Sequence, residues 1–146
     1  MELLVMGMNE ATDYIPTKPT YALRIFSSFV PNMVDDFPLT DSRNYTAIKA
    51  YIFDDNDSSY EAGPAWINPR IARDMIIDFQ THKKDIETLL IHCTHGKNRS
   101  PAIAMAFNDI FGFGYSILKL MEKYAAFNKH TYKTLLDTAR GLGLIK

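Results

Sequence analysis

The chain has 146 residues, of which 47% are hydrophobic and 12% aromatic, and its formal net charge at pH 7 is -1. This length predicts one domain spanning residues 1–146, and the apolar content is sufficient for one packed core. The nearly balanced charge argues against a protein that binds nucleic acid or acidic lipid through bulk charge, so any recognition of an anion has to be local.

The chain contains one cysteine, Cys93. A single cysteine excludes an internal disulfide and fits a reducing compartment. The N-terminus lacks the basic region and the long apolar run of a secretory signal, and no apolar run approaches the length of a transmembrane helix. We therefore expect a cytoplasmic protein with no membrane partner.

Three strands are predicted in the first half of the chain. Residues 2–6 and 21–26 predict the first two, with a loop at residues 7–19 between them. Residues 27–45 contain two prolines and a polar cluster, which predict loops and one short turn of helix. The third strand is predicted at residues 47–53, and an acidic loop follows it.

A helix and a buried strand are predicted next. Asn68 and Pro69 form a cap followed by a first-turn proline, which is typical of a helix start. The apolar positions after them fall on one helical face up to the basic end at His82. A short apolar run at residues 89–91 then predicts a buried strand.

Three helices are predicted in the last third of the chain. Residues 101–111 are apolar nearly all round, which predicts a buried helix, and Gly112 and Gly114 end it. Apolar periodicity predicts two further helices, around residues 117–124 and residues 132–139. The alternation of strands and helices predicts an α/β fold with a central, mostly parallel sheet of four to five strands flanked by helices.

The segment from Ile91 to Pro101 joins the buried strand to the helix that follows it. A tight loop at this place directs backbone amides and the positive end of the helix dipole inward, which is a favourable site for phosphate. Arg99 adds a guanidinium group. The same positive field favours the thiolate of Cys93, so this cysteine is a candidate nucleophile. Ser100 is a candidate N-cap of the helix and also a candidate hydroxyl donor to the thiolate.

His92-Cys93, five residues and Arg99-Ser100 resemble the signature loop of the cysteine-dependent protein tyrosine and dual-specificity phosphatases. The resemblance implies that Cys93 attacks phosphorus, that Arg99 holds the phosphoryl oxygens and that Ser100 assists the leaving thiolate. His92 then positions the cysteine and lowers its pKa. The implied substrate-binding residues are those of the loop: Thr94, His95, Gly96, Lys97, Asn98 and Arg99.

The resemblance also implies the fold and the partners of the protein. The expected fold is that of the tyrosine phosphatases of the dual-specificity type. The expected substrate is a phosphorylated protein or another phosphomonoester, with phosphotyrosine first and phosphoserine or phosphothreonine in addition. Phosphate, sulfate or vanadate would bind in the loop. No metal or other cofactor is required, because the loop itself supplies the positive field.

The general acid that protonates the leaving oxygen must come from another loop. Three neighbours in the acidic loop after the third strand compete for this role: Asp54, Asp55 and Asp57. Aligning this strand with the equivalent strand of small dual-specificity phosphatases places Asp55 nearest the acid of that family. The non-catalytic alternative for all three is a solvated acidic turn or a helix cap.

Two basic residues of the loop, His95 and Lys97, leave the identity of the substrate undecided. They are expected at the mouth of the site, where they would favour a substrate with more negative charge than phosphotyrosine. Residues 92–96 with Asn98 and Arg99 are also similar to the loop of RNA 5'-triphosphatases of the capping type, although Ser100-Pro101 stands where Thr-Gly is expected. Two further alternatives are a phosphoinositide phosphatase of the same superfamily and a phosphate-binding module without turnover.

Overall fold

The computed structural model describes residues 1–29, 33–55 and 65–146. These residues form an α/β fold whose four strands are β1 (Glu2–Gly7), β2 (Thr20–Phe26), β3 (Tyr45–Ile52) and β4 (Thr88–Cys93). The strands pair in the order β1-β4-β2-β3, and every pair is parallel. The prediction of a parallel sheet of four to five strands flanked by helices is confirmed.

The central position of β4 decides where the site lies. All six residues of β4 are buried, and the strand is bordered by β1 on one side and β2 on the other. In this register Gly7 of β1 lies opposite Cys93, and Arg24 of β2 lies opposite His92. Because all strands run in the same direction, their carboxyl ends meet at one edge of the sheet, and Cys93 lies at that edge.

Six α-helices connect and cover the strands in the described residues. They are α1 (Met8–Asp13), α2 (Met33–Asp36), α3 (Pro69–His82), α4 (Arg99–Phe111), α5 (Ile117–Lys123) and α6 (Lys129–Gly141), and a short 3-10 turn (Lys83–Asp85) follows α3. None of the helices in residues 1–29, 33–55 and 65–146 is both long enough and apolar enough to span a membrane.

Helix α4 anchors the Cys93 edge of the sheet to the core. Eleven of its 13 residues are buried, and it contacts both β4 and α6. Its Phe107 is fully buried, packs against Phe79 of α3 and belongs to the main hydrophobic cluster. A large apolar side chain buried in this way stabilises the fold by roughly 1.5–3 kcal/mol. The start of α4 is therefore held by a packed core.

Several predicted helix boundaries agree with the structure. Asn68 caps α3, since its side-chain oxygen accepts a hydrogen bond of 2.9 Å from the amide of Ile71. Gly112 ends α4 in the left-handed conformation, with a φ of 67°. The last helix, predicted around residues 132–139, runs from Lys129 to Gly141: Asn128 caps it, and the side chain of Asn128 accepts from the amide of Thr131.

The prediction of a loop at residues 7–19 is wrong for its first half, where α1 lies. This helix has six residues and no capping hydrogen bond from a side chain. So short a helix is not stable alone, so tertiary contacts must maintain it. Ala11 packs against Met6 and Leu90 on the face of the sheet opposite the main cluster, and the amide of Met8 donates to the carbonyl of Thr94. Helix α1 therefore supports the loop after β4.

Candidate active site

The sulfur of Cys93 lies in a ring of hydrogen-bond donors at the end of β4. The hydroxyl of Ser100 is 3.1 Å from the sulfur, and the amide nitrogen of Gly96 is 3.3 Å from it. The cysteine is 2% exposed. Two donors on one buried sulfur favour its charged form over the neutral thiol.

The pKa of Cys93 depends on two opposed effects. Burial raises the pKa of the thiol, because it disfavours the charged form. The hydroxyl and amide of Ser100, the amide of Gly96 and the positive charge of Arg99 lower it, and together they outweigh burial. The pKa of Cys93 is therefore below its ordinary value, and the thiolate fraction at neutral pH rises accordingly.

Gly96 is required by both the conformation and the packing of the loop. Its φ is +73°, and a Cβ atom at this position would lie 2.6 Å from the backbone nitrogen of Gly7 and 2.6 Å from the carbonyl carbon of Met6. Neither backbone atom can move away without distorting β1. The close approach lets the amide of Gly96 donate to the sulfur of Cys93.

We expect Gly96→Ala to destabilise the protein and to displace the donor amide from the sulfur. The free energy of unfolding should fall by about 1–2 kcal/mol for the positive φ alone, with an additional loss for the clash. The rate of Cys93 alkylation by iodoacetate at neutral pH should fall with it, because the thiolate loses a donor. Denaturant unfolding and alkylation kinetics measure the two effects.

Gly143→Ala is the matched control for this substitution. Gly143 has nearly the same φ, +75°, but a Cβ atom there meets nothing within 4 Å. The Gly143→Ala variant should lower the free energy of unfolding through the positive φ without changing the rate of Cys93 alkylation. If both variants alkylate at the wild-type rate, the amide of Gly96 is not what maintains the thiolate.

Arg99 lies across the loop from Cys93 at the start of α4. One terminal nitrogen donates to the hydroxyl of Ser27 at 3.1 Å and to the carbonyl of Phe53 at 2.8 Å, and the other donates to the hydroxyl of Thr94 at 3.1 Å. These acceptors are neutral, and no described carboxylate forms an ion pair with this guanidinium. Its charge is therefore available to the sulfur and to an anion beside it.

Ser100 has a different place from the one predicted for a helix cap. The prediction that it caps the helix is wrong, because α4 begins at Arg99 and the cap residue is Asn98. Asn98 forms no side-chain capping bond and instead donates to the carbonyl of Ala126 at 2.6 Å. Ser100 is fully buried inside the first turn, and its hydroxyl faces the sulfur of Cys93.

His92 is fully buried and lies directly before the nucleophile candidate. Its Nε2 is 2.9 Å from the Nε of Arg24, and its Nδ1 is 3.4 Å from the carbonyl oxygen of Cys93. Burial and, after it, the charges of Arg24 and Arg99 lower the pKa of His92 to about 4, against the opposing effect of the hydrogen bond to Cys93. At neutral pH this histidine is uncharged and cannot form an ion pair with the thiolate.

Two of the three candidates for the general acid, Asp54 and Asp55, have different surroundings in the acidic loop after β3. Both carboxylate oxygens of Asp54 accept hydrogen bonds from Ser28, one from the amide at 2.6 Å and one from the hydroxyl at 2.7 Å. Asp55 is exposed and accepts a bond of 2.7 Å from the side-chain amide of Asn128. Asp57, the third candidate, lies outside the described residues.

A cavity of about 300 Å³ lies against Cys93. Its lining residues come from three strand ends and from the start of α4: Ser27, Phe29, Asp55, Cys93, Thr94, His95, Asn98 and Arg99. Of the predicted binding residues, Gly96 contributes its amide to the sulfur, and Lys97 is exposed and does not line the cavity. Of the two basic residues expected at the mouth of the site, His95 lines the cavity and Lys97 does not.

Sequence reasoning missed three contributors to this site. Ser27 directly follows β2, and the rule that ligands bind beyond the carboxyl ends of parallel strands could have identified it. Phe29 is 75% exposed on the rim of the cavity. Asn128 could have been found only as a helix cap, because its contact with Asp55 joins residues 73 positions apart.

Comparison with solved structures identifies the fold. No protein-family model and no curated protein sequence matches the chain. Several solved structures match most of it. Tk-PTP in its active form matches with 13% identity and a TM-score of 0.54 over 92% of this chain and 90% of that chain.

Two further structures cover slightly more of the chain. PTPMT1 matches with 8% identity and a TM-score of 0.58 over 97% of this chain and 92% of that chain. The human tyrosine phosphatase-like serine/threonine/tyrosine-interacting protein matches with 15% identity and a TM-score of 0.55 over 97% and 90%. The fold that the signature loop implied is thus confirmed: the chain has the fold of the cysteine-dependent protein tyrosine phosphatases.

Proposed function

We propose that the protein is a cysteine-dependent phosphatase that hydrolyses phosphomonoesters, with phosphotyrosine in proteins as its first substrate class. The observation that carries the proposal is the set of groups around one cavity. Cys93 has hydrogen bonds from Ser100 and Gly96 to its sulfur, and Arg99 and Asp55 line the same cavity. These groups supply a nucleophile, an anion-binding charge and an acid.

In the first step the thiolate of Cys93 attacks phosphorus, an S–P bond forms and the bond from phosphorus to the leaving oxygen breaks. Asp55 donates its proton to that oxygen, so the product leaves as a neutral alcohol or phenol. Arg99 and the loop amides stabilise the negative charge on the phosphoryl oxygens. The buried Nε of Arg99 has no partner among the described residues, so a phosphoryl oxygen could satisfy this donor.

In the second step a water molecule attacks phosphorus and gives its proton to Asp55. The S–P bond breaks, and the thiolate and inorganic phosphate are released. Ser100 donates a hydrogen bond to the departing sulfur, which makes the thiolate a better leaving group. Asp55 is thus returned to its protonated form for the next cycle.

The preference for phosphotyrosine rests on the shape of the site. Cys93 is 2% exposed, so a substrate has to bring its phosphorus to the floor of the cavity. Phe29 on the rim offers an aromatic face against which an aryl group can pack. The phenol ring of phosphotyrosine is long enough to bring the phosphorus to the floor of the cavity, and it is planar enough to pack against Phe29.

The substrate is tested by comparing turnover of four compounds with one preparation: a phosphotyrosine peptide, a phosphothreonine peptide, a 5'-triphosphorylated RNA and a phosphoinositide. We expect the phosphotyrosine peptide to have the highest kcat/KM, with inhibition by vanadate. Turnover confined to the RNA or to the phosphoinositide would keep the phosphatase chemistry but overturn the substrate class.

A binding module without turnover is the alternative from another functional class. One structural neighbour is described as phosphatase-like and interacting, and another was solved in complex with PI(5)P. A module of this kind would bind the phosphopeptide and release no phosphate. Incubation with a chromogenic aryl phosphate therefore separates the two functions, because only the enzyme produces the coloured phenol.

A further inference from the structure

Arg24 is a buried arginine in the middle of β2, on the face of the sheet that carries His92. It is 3% exposed, and its Nε donates to the Nε2 of His92 at 2.9 Å. One terminal nitrogen donates to the carbonyl of Phe37, and the guanidinium carbon lies 4.8 Å from the centre of the Phe26 ring. No carboxylate of the described residues forms an ion pair with it. A buried charge without a counterion is costly, so its position needs an explanation.

We propose that Arg24 is a positioning residue of the active site, which fixes the tautomer of His92 and through it the backbone carbonyl of Cys93. The inference rests on the proposed function only where it predicts how loss of Arg24 changes turnover. The structural part, the state of the histidine and of the thiol, stands independently of any substrate.

The tautomer follows from the hydrogen-bonding capacity of the two side chains. An arginine has only donors, so the Nε2 of His92 must accept from it and cannot carry a proton. In a neutral imidazole the proton is then on Nδ1. This nitrogen faces the carbonyl oxygen of Cys93 at 3.4 Å, so it donates to that oxygen. The chain of bonds runs from Arg24 through the imidazole to the backbone of Cys93.

The charges around His92 support the same state. Arg24 faces the imidazole from β2, Arg99 faces it from α4, and Cys93 bonds it from its own strand. Tyr45 of β3 acts electrostatically on the guanidinium of Arg24, and Asp41 lines the same cavity as Arg24 and Tyr45. Burial disfavours a positive charge on His92, and the charges of Arg24 and Arg99 disfavour it as well, so its pKa is lowered to about 4.

For the thiolate it follows that different residues stabilise its charge and position its backbone. An uncharged His92 cannot stabilise the thiolate of Cys93 by an ion pair, so that work belongs to Ser100, Gly96 and Arg99. Arg24 keeps the backbone of Cys93 in the orientation in which those donors reach the sulfur. Loss of Arg24 should therefore change the state of a group that it does not touch, the thiol.

The test measures the histidine directly, by NMR of protein labelled with ¹⁵N-histidine over a range of pH. In the wild type we expect the Nδ1–H tautomer of His92 at neutral pH and a titration midpoint at about pH 4. In Arg24→Met the tautomer should become mixed, and the pKa of His92 should rise by about one unit or more toward its ordinary value. The midpoint of Cys93 alkylation against pH should shift upward by about one unit in the same variant.

Two further variants separate positioning from general stability. Arg70→Met removes an exposed arginine of α3 and should leave both titrations unchanged. Arg24→Lys keeps the charge and a donor, and should restore part of the tautomer preference and of the thiol midpoint. In turnover, Arg24→Met should lower kcat more than it raises KM, since the phosphate ligands are intact.

Each outcome decides the inference. It is wrong if wild-type His92 carries its proton on Nε2 or titrates near its ordinary pKa, a result that needs no variant to fold. It is also wrong if Arg24→Met is folded and leaves the tautomer and the thiol midpoint at their wild-type values. A protein with the expected tautomer and no hydrolysis of any phosphomonoester would contradict the proposed function and leave this inference standing.

Discussion

Cys93→Ser should reduce hydrolysis of an aryl phosphate by at least about three orders of magnitude. The hydroxyl replaces the sulfur at nearly the same place, but the donors around it cannot make an alkoxide at neutral pH. In the wild type the same donors, Ser100 and Gly96, lower the pKa of a thiol, and a thiol is a much stronger acid than a hydroxyl. The measurement is steady-state turnover of a chromogenic aryl phosphate, read by release of the phenol.

A binding measurement shows whether the variant keeps the rest of the site. Cys93→Ser retains Arg99 and the loop amides, so its Kd for inorganic phosphate by calorimetry should stay within about tenfold of the wild type. In the wild type, rapid acid quench during turnover of labelled substrate should leave the label on Cys93. Retention of the wild-type hydrolysis rate by Cys93→Ser would exclude the phosphocysteine mechanism.

The strands and the loop after β4 could be predicted because their signals are local. An apolar run before His92, a glycine within the loop and an apolar helix after it are all read from neighbouring residues. The same holds for the cap at Asn68 and the end of α4 at Gly112. In each case the residue type is dictated by backbone geometry within one turn.

Other elements depend on partners far along the chain and could not be predicted in this way. Helix α1 has no local capping signal and is maintained by packing of Ala11 on the sheet. Helix α4 starts before Ser100, at Arg99, and the guanidinium of Arg99 donates to distant acceptors at Ser27 and Phe53. Arg24 looks like one polar residue in a strand, and only the strand order places it beside His92.

The acid of the reaction is the part of the site that a substitution can assign. Asp55→Asn preserves the shape of the side chain and its bond from Asn128 but removes the transferable proton. We expect kcat to fall by roughly 10²–10⁴-fold for a phosphotyrosine peptide, whose phenol leaves poorly without protonation. The fall should be much smaller for an aryl phosphate with a strongly electron-withdrawing nitro group, because its leaving oxygen needs no proton. The ratio of the two effects is the diagnostic measurement.

Asp54→Asn and Asp57→Asn complete this comparison. Asp54 uses both carboxylate oxygens to accept from Ser28, so its substitution should lower thermal stability and change the turnover of both substrates by the same factor. An effect that depends on the leaving group in Asp57→Asn, and not in Asp55→Asn, would transfer the acid role to Asp57. Asp55 is favoured because it lines the same cavity as Cys93 and Arg99, where the leaving oxygen of a bound phosphomonoester would lie.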